Sequence, residues 1–406
     1  MAARVLRPEG KGLLLLDSHP AGCARTVDEM ISEAAAAGRP ARAPRVLIIG
    51  CSAGYGLAAA VAGLFGYGAR VVGVCYERPA TARRSASAGW YRVAAVADRA
   101  ARAGLQFAAV NGDCFDPAVR GQSLDLAARL LGTPDILIYS VAAPRRVDPV
   151  TGTTYHSVVK PVGDAYLAKN VAFADGAVLR DVTVEPATAA EVESTIAVMG
   201  GTDWSDWVAD MAERGMLAAG FQTVALTYVG SRLTAPIYRR GTIGRAKDHL
   251  EETARQLSAG VLASVGGTAT TSVNGAAVTM SSLAIPGVSL YLSLLQAVAG
   301  EAAETPIRQS MRLWDHLTGH AAAATDASGR LRMDAWELSP SVQGELALRW
   351  TAGADELVGG LADIDWFRRQ IWRLYGFDVA GVDYGQPVEL DVPWPAASEA
   401  AGFSGS

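Results

Sequence analysis

Between residues 45 and 142 four short apolar runs alternate with three segments whose apolar residues recur at helical spacing. RVLIIG (45–50), ARVVGVCYE (69–77), LQFAAVNGD (105–113) and DILIYSVA (135–142) read as strands. GYGLAAAVAGLFG (54–66), AGWYRVAAVADRAARAG (88–104) and SLDLAARLLG (123–132) read as the helices between them. A strand that is apolar throughout has no face to leave in water, so helices must cover both sides of the sheet. That requirement selects a parallel, doubly wound α/β sheet of the Rossmann type. The rhythm resumes with a helix over 203–216, a strand QTVALTYVG (222–230), a helix AKDHLEETARQLS (246–258), a strand over 267–273 and a helix LYLSLLQAVAG (290–300).

Between the two blocks, residues 145–200 break the pattern with a polar stretch containing RRVDPVTGTTYH. No Gly/Ser-rich or Pro-rich tract isolates it, so it is expected as an insertion or hairpin against the body of the fold. The expected organisation is a segment 1–44 packed on the fold, a single domain 45–392 and a flexible tail 393–406. No internal repeat is present.

The chain has 406 residues, half of them apolar and 19% charged, which allows a large core and excludes global disorder. A net charge of −5 excludes a general nucleic-acid binder, whose phosphate contacts need a basic excess. The pairs Arg83–Arg84 and Arg145–Arg146 read either as solvated surface or as contacts for one phosphorylated ligand. Four separated cysteines with no CxxC fit reduced thiols in the cytoplasm, and five scattered histidines argue against a metal. The run GLLLLD is far short of the roughly 20 apolar residues of a membrane span.

The turn IIGCSAGYGLAAA carries Gly50, Gly54 and Gly56 between the first strand and its helix. Glycine there permits a tight exit and lets backbone amides approach a pyrophosphate at the positive end of the helix. Glu77 ends the second strand 21 residues after Gly56, where an acid accepts from the adenosine ribose hydroxyls and repels a 2′-phosphate. NADH over NADPH follows, although Arg78 beside it could reach a phosphate and a solvated strand end is the plain alternative. Asp113 closes the third strand near an adenine edge, and Val141 and Ala142 close the fourth with small side chains.

In IYRRGTIGRAK, Tyr238 and Lys247 are nine residues apart, two and a half turns of a continuous helix, and would then face opposite ways. They can cooperate only if the chain is not helical between them, and Gly241 and Gly244 make a break plausible. A lysine ammonium and a ribose hydroxyl favour the anion of a phenol whose ordinary pKa is about 10. Tyr228 ends a strand that enters the same region. Two amphipathic tyrosines and a surface lysine are the alternative.

GCSAGYGLAAA, CYERPATARRSASAGWY, NGDCF, YSVAAPRR, TVEPAT, VMGGTDW, TYVGSRLTAPIYRRGTIGRAK and SVNGAAVTMSSLAIPGVSLYLSLL together resemble the trans-2-enoyl-CoA reductase / FabV-type enoyl-ACP reductase family. The likeness runs from SHPAGC through RMDAWELSPSVQ to LYGFDVAGVDY, and the Y-x8-K spacing separates this family from shorter reductases with Y-x3-K. The resemblance implies a monomer that uses NADH to reduce the 2,3 double bond of an enoyl thioester, hydride going to C3 and a proton to C2. It implies Tyr238 as proton donor, Lys247 on the nicotinamide ribose or diphosphate, and Tyr228 on the thioester carbonyl. It aligns Gly50, Cys51, Ser52, Ala53, Gly54, Tyr55, Tyr76, Glu77, Asp113, Cys114, Val141, Ala142, Ala277, Val278 and Thr279 with segments that contact NAD. Helices at about 203–220 and 281–320 are expected to cover the substrate.

Against that pattern Cys51 replaces a small residue, Leu226 an aromatic, Gly275 a lysine and Ser289 a proline, and 251–275 looks compressed. These departures put pocket shape and carrier preference in doubt and suit a specialised pathway. An NAD(P)H-dependent reductase of a carbonyl or untethered alkene, and a silent NAD-binding regulator, are the alternatives. Which tyrosine delivers the proton stays open.

Overall fold

A computed structural model describes residues 3–35, 40–172 and 178–395. Its centre is a seven-stranded parallel sheet: β1 (Arg45–Ile49), β2 (Arg70–Cys75), β3 (Phe107–Asn111), β4 (Ile136–Tyr139), β5 (Gln222–Thr227), β6 (Thr268–Val273) and β7 (Leu331–Arg332). The spatial order is β7-β6-β5-β4-β1-β2-β3, so the winding reverses between β1 and β4. Ile49 pairs with Val74 on one side and Tyr139 on the other, which brings three carboxyl ends level at the point where a crevice opens.

Alternate residues of each strand serve two cores. Val46 and Ile48 of β1 join Ile136 and Ile138 on one face, while Leu47, Ile49, Leu137 and Tyr139 face the other. The first face is covered by α1 (Pro20–Ala34), α2 (Gly54–Val61), α3 (Ala88–Arg102) and α9 (Pro306–Leu317). The second is covered by α4 (Pro117–Leu131), α6 (Thr202–Glu213) and α7 (Thr242–Ala259). Trp204, Trp207, Val208 and Met211 of α6 are all buried in that second core, which ties the helix to the sheet. The N-terminal segment contributes α1, whose Val27 and Ala34 enter the first core beside α3 and α9.

Two antiparallel hairpins fill the expected insertion. Arg145–Val147 pairs with Thr154–His156, and Tyr166–Ala172 with Val178–Val184. They are followed by α5 (Ala189–Met199), started by a capping box in which Thr188 and Glu191 satisfy each other's backbone amides. A third apolar cluster joins α8 (Val288–Ala299), α10 (Pro340–Trp350) and the last helix, Ile364–Leu374.

The helix expected over 123–132 starts at Pro117, because Asp116 accepts from the Ala118 amide at 2.8 Å and proline suits the first helical position. Of the expected tail, 396–406 lie outside the described residues. Just before it, Trp394 donates to the Ala109 carbonyl and its ring lies 4.7 Å from that of Trp90, so residue 394 is packed on the fold.

Trp314 of α9 is the bolt between the helical C-terminal part and the sheet. It is buried, donates to the Ala59 carbonyl at 2.9 Å and fills the space where Gly63 lacks a side chain. Replacing it (Trp314→Ala) is expected to lower the unfolding free energy by about 3–5 kcal/mol, measured as a shift in the urea midpoint at unchanged slope.

Candidate active site

The glycine turn sits at the reversal between β1 and β4. Gly50 has φ +89°, and a Cβ there would lie 2.0 Å from the Ser140 carbonyl oxygen, so β1 can leave the sheet beside β4 only as glycine. Gly56 packs as closely, 1.9 Å from the Gly50 carbonyl oxygen. Gly54, at φ +53°, faces Thr279 across 3.5 Å, which brings the 277–279 segment over the turn. Ala53 caps α2 with no side-chain hydrogen bond, leaving the first amides of that helix open to a ligand's anion. These residues fit a pyrophosphate. Cys51 turns its side chain into the first core against Gly73, so only its backbone faces the turn. The Tyr55 hydroxyl donates to the Gly275 carbonyl at 2.5 Å and holds the exit of β6 against the turn.

Glu77 is fixed by three neighbours. Ser52 donates to its carboxylate at 2.6 Å, and the Asn111 amide clasps its backbone N–H and C=O at 2.7 and 2.9 Å. A Cβ on Gly89 would fall 2.0 Å from its Oε1, so the carboxylate lies on the first turn of α3, at the positive end of that helix. Asn111 is invisible as a site residue in sequence because it is written inside an apolar strand. Tyr76 is exposed, Asp113 accepts from the Phe115 amide at 3.0 Å, and Cys114 and Val141 are half-buried against the second core. Ala142 is exposed at the end of β4.

Tyr238 and Lys247 do not share a continuous helix. The Tyr238 carbonyl accepts from Gly241 and Gly244, both at 3.0 Å, and α7 begins only at Thr242. A Cβ on Gly244 would strike the Arg239 carbonyl at 1.8 Å, and one on Gly241 would meet Ile237 and Lys160 carbonyls at 2.5 and 2.6 Å. Both glycines are therefore required by the tight entry. Lys247 is buried with no acid paired to it among the described residues, and burial lowers its pKa to about 8 against the opposing pull of Glu251. The Tyr238 hydroxyl has no hydrogen-bond partner among the described residues, and burial raises its pKa.

Tyr228 lies edge-on to Tyr238 with ring centroids 5.0 Å apart. Its hydroxyl donates to Glu337 Oε1 at 2.8 Å, Tyr291 of α8 donates to the same oxygen at 2.6 Å, and the Ala276 amide donates to Oε2 at 2.6 Å. Glu337 is wholly buried and has no ion-pair partner among the described residues, so burial raises its pKa to about 7 despite three donors. Val159, Tyr166, Val184, Met199 and Ile285 surround Tyr238 as an apolar wall drawn largely from the insertion. Glu337 escaped sequence reasoning because nothing in RMDAWELSPSVQ distinguishes a buried carboxylate from a solvated one.

A family model described as the trans-2-enoyl-CoA reductase catalytic region matches residues 84–318, and one described as the NAD(P)H binding domain of trans-2-enoyl-CoA reductase matches 5–82. An enoyl-[acyl-carrier-protein] reductase [NADH] of Streptomyces avermitilis is 53% identical over 96% of this chain and 100% of its own. The corresponding Coxiella burnetii protein is 42% identical over 97% and 98%. The trans-2-enoyl-CoA reductase of Clostridium acetobutylicum, solved in complex with NADH, superposes with a TM-score of 0.91 at 32% identity, covering 97% of this chain and 100% of that one. The chain belongs to the trans-2-enoyl-CoA reductase family.

The positions read as departures from the family pattern each have a local contact. Gly275 leaves room for the Trp336 indole, whose nitrogen would be 2.6 Å from a Cβ. Ser289 accepts from the Val171 amide at 2.9 Å and ties α8 to the second hairpin, while Leu226 packs on the first core. Arg146 is buried, donating to the Ala197 carbonyl and pairing with Asp206, so Arg145–Arg146 is not an open phosphate clamp. A third family model, described as an enoyl reductase FAD binding domain, matches 325–388. Those residues do not fit a flavin dinucleotide: the strand described there has two residues, and the chain after it runs into buried Asp334 and Glu337 without a glycine turn onto a helix. The NADH assignment predicts that Glu77→Ala narrows the NADH/NADPH ratio of kcat/KM by about tenfold or more, through loss of a like charge facing the 2′-phosphate.

Proposed function

We propose that this chain uses NADH to reduce the 2,3 double bond of a trans-2-enoyl thioester held on CoA or an acyl carrier protein, with Tyr238 donating the proton. The observation that carries the reading is one uncommitted phenol, Tyr238, edge-on to the Tyr228 phenol at the entry to a helix whose lysine, Lys247, is buried with no acid paired to it among the described residues. Bound NADH would supply the hydride to C3. Gly50, Gly54 and the open first turn of α2 would hold its diphosphate, Glu77 its adenosine ribose, and Lys247 the nicotinamide ribose or diphosphate.

As C3 is reduced, charge moves to the thioester oxygen. Hydroxyls aimed there stabilise that charge more than the neutral substrate, and so lower the barrier. Burial keeps both phenols protonated until negative charge develops beside them. Tyr228 is committed to Glu337 in the unliganded geometry, whereas Tyr238 is free, which supports Tyr238 as the donor to C2. The apolar wall of Val159, Val184, Met199 and Ile285 suits an acyl chain.

The substrate class named for the Streptomyces avermitilis and Coxiella burnetii relatives supports a place in acyl-chain synthesis. A monomer is what the family resemblance implies. A reducing, cytoplasmic setting is supported by four free cysteines, and among the described residues no helix is long and apolar enough to cross a membrane.

Tyr238→Phe is expected to lower turnover of crotonyl-CoA and of a longer enoyl thioester by about 10²-fold or more. NADH affinity, read by fluorescence, should change little. Wild-type turnover in that variant would remove the assignment, and equal reduction of an enone without a thioester would replace it with a carrier-independent reductase.

A further inference from the structure

Glu337 is the one group that joins three parts of the site. Its Oε1 receives Tyr228 from the end of β5 and Tyr291 from α8, and its Oε2 receives the Ala276 amide from the segment that leads to Thr279. Among the described residues no arginine or lysine pairs with it, which sets it apart from Asp334 three residues earlier, paired with Arg332 at 2.7 Å. The titratable groups facing it are Tyr228, Tyr291, Tyr55 from α2 and Asp334 from its own loop. None of them is a cation.

A phenol has a single hydrogen. While Glu337 is ionised, Tyr228 spends that hydrogen on Oε1 and has none to offer a substrate. When Glu337 carries a proton on Oε1, the carboxyl donates to the Tyr228 oxygen and the Tyr228 hydrogen is released for another acceptor in a site where the Tyr238 ring lies 5.0 Å from its own. Tyr291 is buried within the α8 core and keeps donating to Oε1, so Tyr228 is the partner free to turn.

We propose that Glu337 is the positioning residue that decides, by whether it holds a proton, if Tyr228 can hydrogen-bond the thioester oxygen during reduction. The proposal rests on the reading of Tyr228 as a substrate contact. No bond other than O–H···O hydrogen bonds is remade: the carboxyl proton stays on Glu337 and only the direction of donation reverses. Because burial places this titration near 7, both arrangements are populated in the ordinary working range. The sign is fixed: below about 7 the carboxyl donates and Tyr228 is available, and above it the carboxylate recaptures Tyr228.

The test is the pH dependence of kcat and KM for crotonyl-CoA at saturating NADH in wild type, Glu337→Gln, Tyr291→Phe and Tyr228→Phe. In wild type, kcat should fall as Glu337 ionises. Glu337→Gln should lose that limb, because an amide turned with its oxygen to Ala276 donates to Tyr228 at every pH. A separate limb from Lys247, titrating near 8, should remain in both proteins. Tyr291→Phe removes one donor to the carboxylate and should move the Glu337 limb upward by about half a unit or more. That variant decides the matter if the glutamine protein does not fold.

Superimposable profiles for wild type and Glu337→Gln, or an unmoved limb in Tyr291→Phe, would overturn the proposal. Tyr228→Phe separates the two levels. If it lowers kcat/KM by about 10²-fold while the glutamine variant leaves the profile intact, only the role of Glu337 fails. If Tyr228→Phe itself retains full activity, the substrate contact on which the proposal stands is wrong.

Discussion

The site depends on the Tyr238 carbonyl accepting two amides, those of Gly241 and Gly244. That pair of hydrogen bonds stops the chain from being helical through the intervening turn and starts α7 with Lys247 in its second turn. Neither bond could form with a side chain at Gly244, where the Arg239 carbonyl already occupies the volume of a Cβ. The eight-residue interval between phenol and ammonium thus follows from backbone sterics. The same stretch is anchored from outside by the Thr242 hydroxyl on the Val158 carbonyl and the Thr242 amide on that of Lys160. The insertion consequently reaches the site both as apolar wall and as backbone support.

Strands β1 to β4 were legible because each is a mainly apolar run of four to six residues between turn signals, and β5 and β6, with more Thr and Ser, followed from the resumed alternation with helices. The seventh, Leu331–Arg332, is two residues long and carries no period to read. Helix α4 was found but started late, since its apolar spacing begins after the Asp116–Pro117 cap that fixes its true origin. Of the candidate site residues, Gly50, Gly54, Gly56 and Glu77 were singled out by spacing between strand and helix, whereas spacing left Tyr238 and Lys247 open and only the family resemblance gave them roles. Asn111, Glu337 and Tyr291 were not singled out, because each acts through partners more than thirty residues away in the chain. Cys51 was legible as a position but not as a direction: its side chain is buried against Gly73 and points away from the turn.

Three buried ionisable groups show how differently the fold treats charge. Asp203, at the start of α6, accepts from the Tyr139 hydroxyl at 3.0 Å and has the Arg120 guanidinium 3.7 Å away, yet burial still lifts its pKa to about 7. Glu337 reaches the same value with hydrogen bonds alone. Lys247 has neither a hydrogen bond nor a paired acid among the described residues. A buried charge left without compensation costs several kcal/mol. Lys247 is thus a buried cation left uncompensated among the described residues, a cost in stability of the kind that collects at functional sites.

The fit of the Trp336 indole over Gly275 makes these two positions a single unit of inheritance. A side chain longer than hydrogen at 275 collides with the ring, and a smaller residue at 336 opens a void beside Ala276 and Val278. Either change made first is harmful, whereas both together restore a filled volume. A longer side chain at 275 is accommodated only where position 336 has given up its ring, so any exchange of the 275–279 segment requires recutting the opposite wall in the same move.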